Sequence, residues 1–290
     1  MDDVPSPARV GALLRWAAAQ LRRSPTAMID ARALAKAAFR LDDAGLILCD
    51  GFVPEREPVD EFIAMVRRRA GEEPVAHIVG KREFWSLEIE LAPGILVPRT
   101  DTEILIETIL AKRDRRDPLR VLDLGCGSGA ILCALLTEFR AAEGVGADID
   151  PAAIETTMRN LRRLGLSHRS SAVESDWFSG LEGRFDIIVS NPPYIPIADR
   201  GFLPREVRDF ENPLALFGGE DGLAAYRVIL GGARNRLASD GLLALEIGWE
   251  QAESVNTMAA AAFPDAQIAV KNDLEGRNRG VFVDLRPSAH

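Results

Sequence analysis

The chain has 290 residues, 47% of them hydrophobic and 27% charged, enough for a full core and for more than one small unit. A formal net charge of −9 at pH 7 argues against a protein whose affinity comes mainly from neutralising nucleic-acid phosphates. Cys49, Cys126 and Cys133 are odd in number and form no CxxC pair, which disfavours a disulfide framework or a zinc site and predicts reduced, partly buried thiols. The N-terminus lacks a basic, apolar, small-residue signal pattern, and no apolar run approaches the roughly 18 residues of a membrane span, so a cytoplasmic protein is expected.

Residues 7–70 are rich in Ala, Leu and Arg, with apolar positions at helical spacing: Val10, Leu13, Leu14, Ala17 and Leu21; Ile29, Ala33, Leu34 and Ala37; Val59, Phe62, Ile63 and Val66. This predicts a small helical bundle, with Arg67-Arg68-Arg69 on a solvated helix face. Through Glu90 there are 13 Lys+Arg against 15 Asp+Glu, which leaves 22 against 29, so the acidity lies in the later part. Between Glu83 and Val97 the alternation Phe84, Leu87, Ile89, Leu91, closed by Pro93-Gly94, predicts a β-hairpin joining the two parts. The expected domains are therefore 1–82 (helical), 83–100 (hairpin linker) and 101–290 (α/β).

In the last of these, short apolar strands alternate with helices. Strand 121–124 leads through Gly125-Cys126-Gly127-Ser128-Gly129 into the apolar helix 130–136. Strand 144–148 and helix 151–164 follow, with Pro151 suited to the first helical turn and Gly165 to the helix end. Strands 172–174, 185–190 and 241–246, helix 222–237 and a terminal antiparallel pair at 267–270 and 280–285 complete a doubly wound sheet.

Two loops carry the chemistry. The glycines of 125–129 permit positive φ and close approach of backbone N–H groups to a ligand, and the following helix N-terminus favours an anionic group such as a carboxylate. The spacing Gly125-x-Gly127-x-Gly129 lacks the end of the dinucleotide fingerprint GxGxxG, so pyrophosphate is disfavoured. Asp148 ends the next strand about 20 residues later, where a carboxylate can accept two ribose hydroxyls. Singly, these features are a tight turn and a helix cap; together they fit a nucleoside bearing an amino-acid carboxylate. The second loop, Asn191-Pro192-Pro193-Tyr194, follows strand 185–190, at the sheet edge where open α/β folds bind ligands. Its prolines fix two φ angles and remove two donors, leaving carbonyls to accept from a planar N–H group.

Leu122-Asp123-Leu124-Gly125-Cys126-Gly127-Ser128-Gly129 resembles the S-adenosylmethionine (SAM) loop of class I methyltransferases, and Asn191-Pro192-Pro193-Tyr194 resembles the signature of those that methylate planar nitrogen. Pro74-Val75-Ala76-His77-Ile78-Val79-Gly80, Leu96-Val97-Pro98-Arg99-Thr100-Asp101-Thr102-Glu103, Ser175-Asp176-Trp177-Phe178, Gly218-Gly219-Glu220-Asp221-Gly222-Leu223 and Leu245-Glu246-Ile247-Gly248 are similar, in order and spacing, to the release factor glutamine methyltransferases (PrmC/HemK) over residues 7–285.

The resemblance implies a Rossmann-like methyltransferase domain behind a substrate-recognising helical domain. SAM would be the methyl donor, with S-adenosylhomocysteine as product and no metal. The acceptor would be the side-chain amide N5 of glutamine in the Gly-Gly-Gln loop of class 1 peptide chain release factors, and its methylation would modulate translation termination. It further implies catalytic roles for Asn191, Pro192 and Tyr194. Cofactor contacts fall to Gly125, Cys126, Gly127, Ser128, Gly129, Asp148, Trp177 and Asn191, and substrate contacts to Asn191, Pro192, Pro193, Tyr194 and Arg99.

Read on its own chemistry, Cys126 is more a packing residue than a nucleophile. Trp177 suits a purine, and also suits a core position under the sheet edge. Thr100-Asp101-Thr102-Glu103 stands where the family usually has Pro-Glu-Thr-Glu, and Glu246 reads as a strand-end carboxylate. His77, His168 and His290 are dispersed, with no metal or triad spacing. Two other readings are a nucleic-acid amino-methyltransferase, which the acidic charge disfavours, and a SAM-binding module without catalysis, which the intact second loop disfavours. A monomer is expected, with no membrane and no nucleic-acid partner.

Overall fold

A computed structural model describes residues 4–287, so His290 lies outside the described residues. The chain forms two compact units. One runs to Gly80 and takes in Pro204–Phe210; the other comprises Lys81–Leu203 and the chain from Glu211 onward.

The first unit packs helices Val10–Gln20, Ala27–Phe39 and Arg56–Ala70, with two shorter helices at Asp43–Leu48 and Val75–Val79. Leu13, Leu34, Phe62 and Val66 are fully buried at its centre. The second helix presents a different face from the one its spacing predicts. Ala31, Leu34, Ala35 and Ala38 are buried, while Ile29 is 67% exposed. The cause is polar: Asp30 is buried and accepts from Arg69 Nε at 2.7 Å, Ser24 Oγ at 2.8 Å and Thr26 Oγ1 at 2.9 Å. Arg69 therefore departs from the solvated face expected for it, although Arg67 and Arg68 are exposed. It also bonds Glu206 at 2.8 Å, which ties Pro204–Phe210 into this unit.

The second unit starts with a hairpin, β1 (Lys81–Phe84) and β2 (Leu87–Glu90). The turn is Trp85-Ser86, both at positive φ, in place of the predicted closure at Pro93-Gly94. Trp85 tolerates this because it is held twice, its N–H on Glu103 and its indole Nε1 on Glu138 at 2.8 Å. Phe84 and Ile89 pack into the core of this unit, so the hairpin is part of it.

Seven further strands follow: β3 (Arg120–Leu124), β4 (Glu143–Asp148), β5 (Ser170–Glu174), β6 (Phe185–Ser190), β7 (Leu237–Glu246), β8 (Gln267–Asn272) and β9 (Asn278–Asp284). They form one sheet in the order β5-β4-β3-β6-β7-β9-β8, parallel except for β9. Alternate residues serve opposite faces, as a pleated strand requires. Val121, Ile187, Val189, Leu242 and Ala244 lie in one core, and Leu122, Leu124, Ile188, Leu243 and Leu245 in the other. The chain runs outward through β4 and β5 and returns to β6 beside β3, which creates a switch point between the ends of β3 and β6.

Asn160, fully buried in helix Pro151–Arg163, fastens the hairpin to this edge. Its Nδ2 donates to the Glu90 and Ser128 carbonyls, both at 2.9 Å, and its Oδ1 accepts from Glu90 N at 2.8 Å. Asn160→Ala strands three backbone groups. At about 1–3 kcal/mol for each group left unsatisfied in the interior, and with Glu90 only half-buried so that water can reach its two groups, we expect a loss of about 3–5 kcal/mol in equilibrium urea unfolding. A loss below about 1 kcal/mol would show that the clasp contributes little.

Candidate active site

Parallel pairing sets Leu124 of β3 against Ser190 of β6, and Ser190 against Leu245 of β7. The next residue of each strand, Gly125, Asn191 and Glu246, therefore emerges along one edge of the sheet. A cavity opens there. It is lined by Gly125 and Gly127 from the first loop, Asp148 at the end of β4 with Ile149 and Asp150 after it, Asp176 and Trp177 after β5, and Asn191 and Pro193 after β6. Segments 94–96 and 212–215 form its remaining wall, joined by a bridge between Gly94 and Glu211 and by Asn212 N donating to Gly94 O at 2.8 Å.

The glycine loop is held by its own backbone. Gly125, Gly127 and Gly129 all have positive φ, and Gly125 N donates to Ala147 O at 2.8 Å. A Cβ on Gly129 would come within 2.8 Å of the Thr157 side chain, so the helix Pro151–Arg163 can approach only glycine there. Cys126 is buried, with Sγ 3.4 Å from Thr157 Oγ1, and burial pushes its thiol well up. It packs and does not line the cavity. Ser128 and Gly129 likewise stand behind the lining, Ser128 with its carbonyl on Asn160.

Asp148 accepts from Gly127 N and Asp150 N, both at 2.9 Å. Burial raises its carboxyl above the usual range, and the backbone donors pull it back. Trp177, at φ 51°, lines the cavity while packing on the sheet core, so both of its expected roles meet in one residue. Ile149 and Leu214 are 52% and 64% exposed and both face the cavity, which offers a flat ligand apolar surfaces. Sequence reasoning missed these two and Asn212. The run Asp148-Ile149-Asp150 carried a signal, an apolar residue between two acids just past a strand; Leu214 carried none.

The Asn191-Pro192-Pro193-Tyr194 loop is gripped from behind. Gly218 N donates to Ile195 O at 3.0 Å, Ile195 N to Leu216 O at 2.9 Å, and Gln251 Nε2 to Tyr194 O at 2.9 Å. A Cβ on Gly218 would lie 2.5 Å from the Pro193 carbonyl, and one on Gly222, at φ +73°, would run into the Tyr194 carbonyl. The Gly-Gly-Glu-Asp-Gly motif thus exists to let a backbone press on this loop. Asn191 Nδ2 donates to Thr102 Oγ1 at 3.3 Å. Among the described residues no hydrogen bond ends on Asn191 Oδ1 or on the Pro192 carbonyl. Burial and the nearby Glu246 carboxyl push the Tyr194 hydroxyl up to about 12, so it stays protonated. Arg99 does not line the cavity. It bonds the buried Glu211 carboxylate at 2.7 Å and so anchors the wall segment, while Asp101 faces Arg279 at 3.4 Å.

Residues 99–199 match the methyltransferase small domain and residues 12–80 the PrmC N-terminal domain. The chain is 42% identical to the release factor glutamine methyltransferase of Bradyrhizobium diazoefficiens, over 94% of each chain. The chain belongs to the release factor glutamine methyltransferase family. The Agrobacterium fabrum release factor glutamine methyltransferase is 41% identical over 87% of this chain and 88% of that one. The T. thermophilus 16S rRNA N2 G1207 methyltransferase, solved with AdoMet and guanosine, shares the fold at 21% identity, with a TM-score of 0.51 over 71% of this chain and 50% of that one.

Gly222 gives the direct test of the grip on the second loop. In this glutamine methyltransferase Gly222→Ala adds left-handed strain of about 1–2 kcal/mol to the clash with Tyr194 O. We expect a thermal midpoint lower by several degrees and transfer slowed by about 100-fold, read by calorimetry and a methylation assay. Wild-type turnover by this variant would show that the segment does not set the loop.

Proposed function

We propose that this chain transfers a methyl group from SAM to the side-chain amide nitrogen of the glutamine in the Gly-Gly-Gln loop of class 1 peptide chain release factors. The observation that carries it is the pair of unsatisfied acceptors, Asn191 Oδ1 and the Pro192 carbonyl, on a rigid loop beside the cavity. A primary amide has two N–H donors in one plane, the complement of those two acceptors.

The cavity residues fit the cofactor by their chemistry. Asp148 can accept ribose hydroxyls, Ile149, Leu214 and Trp177 suit a flat base, and the positive-φ glycines bring N–H groups toward a carboxylate. When bound, SAM supplies an electrophilic sulfonium methyl. Everything else falls to the chain. An amide nitrogen is a poor nucleophile because its lone pair is delocalised into its carbonyl. Hydrogen bonds from the NH₂ group to Asn191 and Pro192 hold it in line and return electron density to the nitrogen. Pro193 sets the loop wall, and the neutral Tyr194 ring helps to exclude water. No strong base is needed before transfer, because the proton leaves once the nitrogen has become positive; the gain is mainly positioning, worth about 7–11 kcal/mol in well-oriented systems. Arg99 acts through the Glu211 wall. The helical unit is the platform for the release factor, no step is assigned to a metal, and the working form is a cytoplasmic monomer.

Incubation with labelled SAM and a release factor, its Gln→Ala variant, or DNA tests this directly. Label is expected on the wild-type factor alone. Label on DNA, or label persisting on the Ala variant, would overturn the assignment.

A further inference from the structure

The sheet edge that carries Gly125, Asn191 and Glu246 carries a second feature. Strand β9 runs against β7 and sets Gly280 opposite Glu246, so the β8–β9 hairpin turns at this same edge, with only β7 between β9 and the strand that leads into Asn191. Its tip is firmly held. The Asp273 carboxylate, 3% exposed, accepts from Glu275 N and Arg277 N, both at 3.0 Å, and from Arg279 Nε and Nη2 at 3.2 and 3.1 Å. Asp273 N donates to Arg277 O at 2.9 Å, and Gly276 N to Asp273 O at 3.0 Å.

On this fixed turn Leu274 is 94% exposed, more than any other large hydrophobic side chain among the described residues. Trp249, 54% exposed, stands at the foot of the same hairpin, where Asn278 Nδ2 donates to Trp249 O at 3.5 Å and Ile247 N to Arg279 O at 2.9 Å. A lone exposed leucine on a surface needs no explanation; one locked in place at the edge where the reaction occurs does. The arginines of the turn are already engaged, Arg277 by Glu275 at 3.1 Å and the buried Arg279 by Asp273 and Asp101. What the tip offers a partner is therefore apolar, and not a phosphate clamp.

We propose that Leu274, with Trp249 at its foot, docks the acceptor protein by filling an apolar cleft in the chain that flanks the methylated glutamine. The proposal rests on the glutamine-amide reading above. Neighbouring strands lie about 4.8 Å apart, which sets the hairpin about 10–14 Å from the end of β6, and an extended chain covers that span in about three or four residues. Leu274 thus meets side chains about that far from the glutamine, beyond the reach of Asn191 and Pro192. Because the turn is ordered before the partner arrives, little freedom is lost on docking. A glutamine loop without the cleft would find the same two acceptors and no anchor, so the hairpin selects among glutamine loops that the amide clamp alone cannot tell apart.

The test uses the full chain with SAM and a release factor. Transfer to the glutamine by wild type, with none to the Gln→Ala factor, is the control: its failure sinks the glutamine-amide reading and this proposal with it. With that control met, Leu274→Ala and Trp249→Ala should each raise KM for the factor about 10-fold or more, with kcat and SAM Kd within about threefold of wild type. Leu274→Ala should leave the thermal midpoint unchanged, because its side chain covers no core, and Leu274→Met should hold KM within about threefold. The Leu274→Ala effect should be the same between about 50 and 500 mM salt, as an apolar contact requires. Wild-type KM in Leu274→Ala, a loss confined to kcat or to SAM affinity, or a Leu274→Met variant as weak as Leu274→Ala would each overturn the proposal. So would a wild-type dimer in sedimentation that Leu274→Ala dissociates, since the occupant would then be a second copy of this chain.

Discussion

Inside the parallel pairing of β3 and β6, Ser190 donates its buried hydroxyl to the Leu124 carbonyl at 2.7 Å. That contact lies one residue before both functional loops. It aligns the end of the glycine turn with the start of the Asn191 loop, at the point where the order of the sheet reverses. A slip of one residue would turn Leu122, Leu124 and Ile188 from one core to the other, so the hydrophobic pattern itself guards the alignment. The cavity and the two free acceptors depend on this register.

The second constraint is close backbone approach. Gly129 lets a helix reach the glycine turn, and Gly218 and Gly222 let a strap press on the carbonyls of Pro193 and Tyr194. None of these glycines touches a substrate in the proposed reaction, yet each removes freedom from a group that must hold still. With catalysis resting on position, such rigidity is worth more than an added acid or base. Cys126 and Tyr194 agree with this reading, since burial keeps both protonated.

Much of this was legible in the sequence, because the sheet is made of short apolar runs punctuated by Gly, Pro and Asn. Strands β3, β4 and β6 fall within a residue or so of where the pattern sets them. The helix Asp43–Leu48, 6 residues long and capped by Asp42, is too short to show a period. The hairpin turn was missed because Trp85-Ser86 has no Gly, Asn or Asp to favour positive φ; it is held there by Glu103 and Glu138, 18 and 53 residues from Trp85. The rotated face of Ala27–Phe39 depends on Arg69, 39 residues from Asp30. At the site, the glycines, Asp148, Trp177 and the Asn191 loop announce themselves by residue type at strand ends. Leu214 and the anchoring role of Arg99 are products of tertiary contact alone.

In the proposed reaction Asn191 acts on the substrate amide and only secondarily on the cofactor. Asn191→Ala, measured for SAM affinity by calorimetry and for methyl transfer to the release factor in parallel, tests it most directly. Turnover should be abolished with SAM affinity within about tenfold of wild type; a hundredfold loss of SAM affinity would contradict the claim and place Asn191 in the cofactor site.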